Sequence, residues 1–194
     1  VHEKKGSLVL VSSQLSSERR FWIEADFVTP LVRSPSHHSR PFVKISELNT
    51  YLLRIPKDTN VHDLNVYNYL LWGEESGYQN RSGSRNRNPW WRLPVLSEMG
   101  AEILVSRHHH DHLNVLWNPD RAVANSFYSV VPNADFISPS SLFVYLSSSL
   151  GVLLSEVYGR TNQGQGVLNT YGADLEQFPM LTRFIENSSD ITNA

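Results

Sequence analysis

Arg81–Arg92 reads RSGSRNRNPWWR, four arginines in a short polar stretch with no acid among them. The segment carries +4, so the rest of the chain carries −6 of a net charge of −2. Arginine forks suit phosphate oxygens and the O6/N7 edge of guanine. Asn86 and Asn88 can pair with adenine edges or bond phosphate. Trp90 and Trp91 can stack on a base or shelter the site. Contact with nucleic acid needs basic residues interleaved with amides and aromatics of this kind. Arg81, Arg85, Asn86, Arg87, Asn88, Trp90, Trp91 and Arg92 are therefore candidate DNA contacts. The competing reading is a solvated arginine loop over a core. If the two tryptophans sit on a strand they point to opposite faces, and at least one is core.

A second cluster, Arg107–His112, reads RHHHDH. On a strand His108, His110 and His112 share one face, and His109 and Asp111 the other. Histidine beside aspartate can bind zinc. The stretch matches the His-x-His-x-Asp-His motif of metallo-β-lactamase-like hydrolases at His109, Asp111 and His112. Arg107 stands where the first histidine ligand belongs, so the ligand set fails. A polar strand edge, or a nucleic-acid-facing cluster around Arg107, are the other readings, and no native metal site is expected.

A third, Glu156–Leu168, reads EVYGRTNQGQGVL directly after the strongest helical pattern in the chain. Gly164 and Gly166 allow close approach of backbone to a ligand. Arg160, Gln163 and Gln165 offer long donors and acceptors, and glutamine can read adenine bidentately. The plain alternative is a helix-to-strand turn. The order of elements is wrong for a dinucleotide loop, and neither a P-loop nor a GxSxG elbow is present. No nucleophile, base and oxyanion set can be assembled, so no catalytic residue is expected.

The elements that must position these segments are mixed. Leu8–Val11 is a short apolar strand followed by the Ser-rich Ser12–Ser17. Phe21–Val28 alternates with Phe21, Ile23, Ala25 and Phe27 on one face, predicting a half-buried strand. Thr29–Pro41 holds three prolines and predicts an exposed loop. Leu52–Ile55 predicts another strand. Thr59 or Asn60 can cap a helix running to about Ser76, with Gly77 as terminator. Strands are predicted at Ile103–Val105, Leu113–Trp117 and Ala122–Val131. Ser138–Pro139 is a cap with proline at the first helical position. Leu142, Leu146, Leu150, Leu153 and Val157 then form the apolar stripe of one helix ending at Gly159. Strands and helices do not alternate regularly, which predicts an α+β class with a mixed or antiparallel sheet and a few helices. Residues 1–50 are expected to be N-terminal strands and a loop that start the domain, 51–185 to form its body, and 186–194 to be a polar tail.

The chain has 194 residues, 40 % of them hydrophobic, enough for one domain or one domain with an appendage. It has no cysteine, which removes disulfides, thiolate zinc sites and cysteine nucleophiles. Twenty-five serines and 15 asparagines make an uncharged polar surface abundant. The net charge excludes a globally basic nucleic-acid binder but not a local patch. No apolar run approaches a membrane span, so no membrane partner is expected. The first residue is Val1, which is consistent with a piece of a longer protein.

In order, the segments are YLLWGEESGYQNRSGSRNRNPWWRLP, then strands including RAVANSFYSVVP, then YLSSSLGVLLSEVYGRTNQGQGVLNTYGADLEQFPM. This order resembles the C-terminal target-recognition domain of TaqI-like (class γ) N6-adenine DNA methyltransferases of restriction–modification systems. The resemblance covers roughly Leu52–Met180. In that family a basic stretch ending in Pro-Trp-Tyr or Pro-Trp-Trp precedes the strands. A helix ending in Gly-Arg and a Gly-rich turn then leads to a strand and a leucine-proline close. Arg87–Trp91, Gly159–Leu168, Asp174–Leu175 and Phe178–Pro179 match, with Phe178 where leucine or isoleucine is common.

The resemblance implies a module that grips duplex DNA and reads part of a short site. It implies no catalysis by this chain alone, because the family's Asn-Pro-Pro-Tyr motif and S-adenosylmethionine loop are not in it. Asn88–Pro89 and Asn118–Pro119 do not continue to Pro-Tyr. It implies an N-terminal methyltransferase domain as partner, S-adenosylmethionine as that domain's cofactor, no cofactor here, a monomer, and a bacterial or archaeal cytoplasm. The alternatives are a specificity-subunit-type module, a protein-interaction domain, and a metal-dependent hydrolase at His108–His112.

Overall fold

Gly6 adopts φ +59° and lets Glu3–Lys5 (β1) turn back along Leu8–Ser13 (β2), which pairs in turn with Ser16–Glu24 (β3). The computed structural model describes residues 1–35, 40–93, 100–109, 113–133, 136–160 and 167–180. It divides into two units, Val1–Leu31 with Leu48–Ser97 and Val32–Glu47 with Glu98–Ala194.

In the first unit, Val9 stands opposite Ile23 and Val11 opposite Phe21, so the pleat puts these four on one face. Ile23 joins Val61, Val66 and Leu70 in a buried cluster, with Val11 and Phe21 packed against it. The alternation expected for Phe21–Val28 holds only to Glu24. Ala25–Phe27 form a 3-10 turn, and a new strand, Val28–Val32 (β4), follows. Its Val28–Pro30 pair antiparallel with Tyr51–Leu53 (β5). The loop expected from Thr29 thus begins later, because Leu31 and Val32 are buried despite the nearby prolines.

The helix of this unit, Val66–Glu75 (α1), starts well after the expected cap at Thr59 or Asn60. The Asn60 side chain accepts from the His62 amide at 3.3 Å, a local turn that competes with helix. The cap comes from β3 instead. Glu24 Oε1 accepts from the Asn65 amide at 2.7 Å and Oε2 from the Val66 amide at 3.1 Å. Partial burial pushes the Glu24 carboxyl up, and the hydrogen bonds from Asn65 and Val66 outweigh that and hold it below the usual range. The helix ends where expected, with Gly77 at φ +74°.

In the second unit, Ile103–Ser106 (β6) is buried at every residue. It lies between Val115–Trp117 (β8) and Phe127–Val130 (β10) in an antiparallel sheet. His108–His109 (β7) follows β6 closely and pairs with Leu168–Asn169 (β11). The single strand expected over Ala122–Val131 is two, because Ser126 takes φ +67° between Val123–Ala124 (β9) and β10.

Ser138 caps Pro139–Ser147 (α2) as expected, its Oγ accepting from the Ser141 amide at 3.1 Å. The helix does not run on to Gly159. It breaks at Ser148, and Ser149–Tyr158 (α3) leaves at 71° to α2. Ser148 Oγ donates to the Tyr145 carbonyl at 2.6 Å and accepts from the Gly151 amide at 3.4 Å, closing one helix and opening the next. A Cβ on Gly151 would stand 2.2 Å from the Leu146 carbonyl oxygen, so the close approach requires glycine.

The bend corrects the expected stripe. Leu142, Leu146 and Leu150 stay with the core and Leu154 joins it, while Leu153 and Val157 are 53 % and 68 % exposed. That core gathers Ile103, Val105, Leu113, Val115, Tyr145, Leu146, Leu154 and Phe178. The last helix among the described residues is Gly172–Leu175 (α4), and the class is α+β. No single helix among the described residues is long and apolar enough to cross a membrane.

Candidate nucleic-acid interface

Arg81–Arg92 is a succession of turns, not a strand. Arg81 O accepts from the Ser84 and Arg85 amides at 2.8 and 2.9 Å, and Ser84 O from the Arg87 amide at 2.9 Å. The Asn88–Pro89 peptide is cis. Trp90 closes the segment onto α1. Its Nε1 donates to Glu74 Oε1 at 2.9 Å, and its ring edge fills the place where a Cβ on Gly73 would come within 2.6 Å. Trp91 packs against the same cluster as Val66 and Leu70. Both tryptophans hold the segment in place.

The arginines divide. Arg92 Nη2 donates to the Lys57 carbonyl at 3.1 Å, which ties it to the scaffold. Arg81 lies 4.2 Å over the Tyr78 ring, which packs edge-on against Trp72. Among the described residues no acid pairs with Arg81, Arg85 or Arg87. Arg81, Arg85, Asn86 and Asn88 are exposed, and Arg87 is half-buried. A guanidinium held at a fixed place with its N–H groups unspent can meet a phosphate at little ordering cost.

In the second unit Arg107 and Arg160 are exposed but engaged. Arg107 Nε donates to the Phe127 carbonyl at 3.3 Å, and its guanidinium lies 5.1 Å from the Tyr128 ring centre. Arg160 Nη2 meets Asp174 Oδ1 at 2.8 Å, and its guanidinium lies 5.5 Å from the Tyr171 ring centre. Asp174 is buried. Its other oxygen accepts from the Tyr171 amide at 3.0 Å, and that bond first, with Arg160 second, holds its carboxyl below the usual range. Gln163 and Gln165 lie outside the described residues, as do His110, Asp111 and His112. His109 is buried on β7, and His108 is exposed with Nδ1 hydrogen-bonded to Asn169 Oδ1. No group of three metal-ligating side chains occurs among the described residues.

Two features escaped the sequence. Asn169 joins His108 across 61 residues, and Asp174 joins Arg160 across 14. Neither pairing has a local signal, because short strands and bridges bring the partners together. Conversely, the basic segment is one continuous run and was visible as such.

No curated protein matches the chain. The model of one family, the C-terminal domain of the type II methyltransferase M.Eco57I, matches residues 34–193. The match takes in the arginine segment, β6 to α4 and the Arg160–Asp174 pair. The chain belongs to the family of the M.Eco57I-type methyltransferase C-terminal domain.

Proposed function

We propose that this chain is the DNA target-recognition domain of an adenine-N6 methyltransferase of the TaqI-like class γ kind. In this reading residues 51–185 form the body of that recognition domain. Its partners are double-stranded DNA and the methyltransferase domain of the same protein, and that domain binds S-adenosylmethionine. The chain works as a monomer in a bacterial or archaeal cytoplasm, and performs no chemistry by itself. The observation that carries the reading is the set Arg81, Arg85 and Arg87. They sit on one turn segment, fixed by Trp90 and Trp91, with no acid paired to them among the described residues. Family membership supplies the methyltransferase context.

Phosphate contacts set register and orientation, and base-edge contacts set sequence. The three arginines act as phosphate contacts, with Asn86 and Asn88 beside them. Each neutralised phosphate contributes about −0.9 to the slope of log affinity against log salt. The test is titration of the chain with a mixed-sequence duplex at two salt concentrations. The expected slope is about −3 or steeper. A slope near zero, or no binding at low salt, overturns the reading.

A further inference from the structure

The ladder of β7 and β11 pairs Leu168 with His109 and Asn169 with His108. Asn169 and Arg160 exchange both backbone hydrogen bonds at 2.9 Å, and Asn169 stands opposite His108 on its other side. Residues directly opposite in antiparallel pairs share a face, at about 4.5 to 5.5 Å between Cα atoms. His108, Asn169 and Arg160 thus form one row on one face, contributed by three separate chain segments. The central member is 2 % exposed, and the outer two are exposed.

Each outer side chain is held by a buried neighbour. Asn169 Oδ1 takes His108 Nδ1, and Asp174 Oδ1 takes Arg160 Nη2 at 2.8 Å. With the Asn169 oxygen as acceptor, the neutral imidazole carries its proton on Nδ1, and Nε2 is left as an acceptor. Arg160 offers its remaining N–H groups as donors. The Asn169 amide nitrogen is buried without a hydrogen-bond partner, a cost the fold carries in this row.

We infer that this row is a base-reading surface, in which His108 and Arg160 contact base edges in the DNA major groove and Asn169 is a positioning residue that fixes the His108 ring. The order of acceptors and amine across the major groove differs from pair to pair, so an acceptor and a donor held at fixed positions fit some base pairs and not others. The inference rests on the DNA-recognition reading above and adds a second surface with a different task. The arginine segment neutralises phosphates, and the row discriminates bases.

The test is selection of duplexes by the whole chain from a randomised pool, followed by sequencing, for wild type, His108→Ala and Asn169→Ala. Wild type is expected to enrich a short site. His108→Ala is expected to lose preference at one base pair, with about tenfold weaker binding to the enriched site, and to keep the salt slope. Asn169→Ala is expected to lose preference at the same base pair, and the double variant to lose no more than either. If Asn169→Ala fails to fold, His108→Ala alone decides the matter. An unchanged preference in His108→Ala overturns the inference. Salt-dependent binding by wild type with no enriched site overturns it too, while leaving the arginine reading intact. Absence of any duplex binding at low salt overturns both.

Discussion

The two units of this chain use arginine in opposite ways. The first carries a net +2 and the second −4. In the first, Arg81, Arg85 and Arg87 have no acid partner among the described residues, and the tryptophans beside them do the holding. In the second, Arg121 pairs with Glu102 at 2.8 Å, Arg160 pairs with Asp174, and Arg107 is spent in part on the Phe127 carbonyl. A charge already paired inside the protein gives up little counterion when DNA arrives, whereas an unpaired one exchanges its atmosphere for phosphate. In the proposed reading, salt-dependent grip belongs to the first unit and geometric selectivity to the second.

Trp90→Ala gives the largest expected effect. Removing an indole that fills the space over Gly73 and bonds Glu74 costs about 3 kcal/mol of stability, read by denaturant unfolding. The same variant should flatten the salt slope although every arginine is still present. If the slope persists, the segment does not need its scaffold and the contrast between the units weakens.

The triple variant Arg81→Gln, Arg85→Gln, Arg87→Gln separates grip from fold. Loss of three phosphate contacts removes about 2.7 from the slope, so roughly a 40-fold salt sensitivity between 50 and 200 mM disappears. Denaturant midpoints should stay within about 0.5 kcal/mol of wild type, as surface substitutions do. Parallel loss of stability and binding would show that these arginines are committed after all.

Asp174→Ala should do the reverse in the second unit. It leaves the Tyr171 amide without its acceptor and Arg160 without its partner, for about 1–2 kcal/mol measured by thermal or chemical unfolding. The first-unit salt slope should be unchanged, because phosphate grip does not pass through this carboxylate.

The smallest and most gradual effect is in acid. Glu24 in the first unit and Asp174 in the second both have carboxyls held below their unfolded values. Such groups contribute stability that is fully present above the unfolded carboxyl range near pH 4 to 4.5 and lost as pH falls through the folded values. Stability should therefore be flat from neutral down to about pH 5 and then decline. Glu24→Gln, which keeps one acceptor at the start of α1 but no charge, should shrink that decline, as read by unfolding at a series of pH values. An equal decline in the variant would remove Glu24 from the account.

Local chemistry explains which expectations held. The Ser138–Pro139 start of α2 and the Gly77 stop of α1 are decided within a few residues, by a side chain reaching the next turn and by a backbone angle. The start of α1 was displaced because its cap, Glu24, lies 41 residues away in sequence from Asn65. The apolar stripe was legible as helix, but not its bend, since the 3- and 4-residue spacing continues through Ser148 without interruption. The Ser148 hydroxyl and the close approach of Gly151 to the Leu146 carbonyl accompany the turn of α3, which puts Leu154 and not Leu153 in the core.

By itself the sequence determined the class, the absence of cysteine chemistry and the position of the positive charge, because each of these depends on residue type and local order alone. Tertiary structure decided which cations are paired inside the protein. Arg87 and Arg160 are equally plausible contacts as letters, and they differ because a buried carboxylate from a distant helix reaches one and not the other. Pairing depends on distance in space, and only packing brings Asp174 to Arg160, Asn169 to His108 and Glu24 to the first turn of α1.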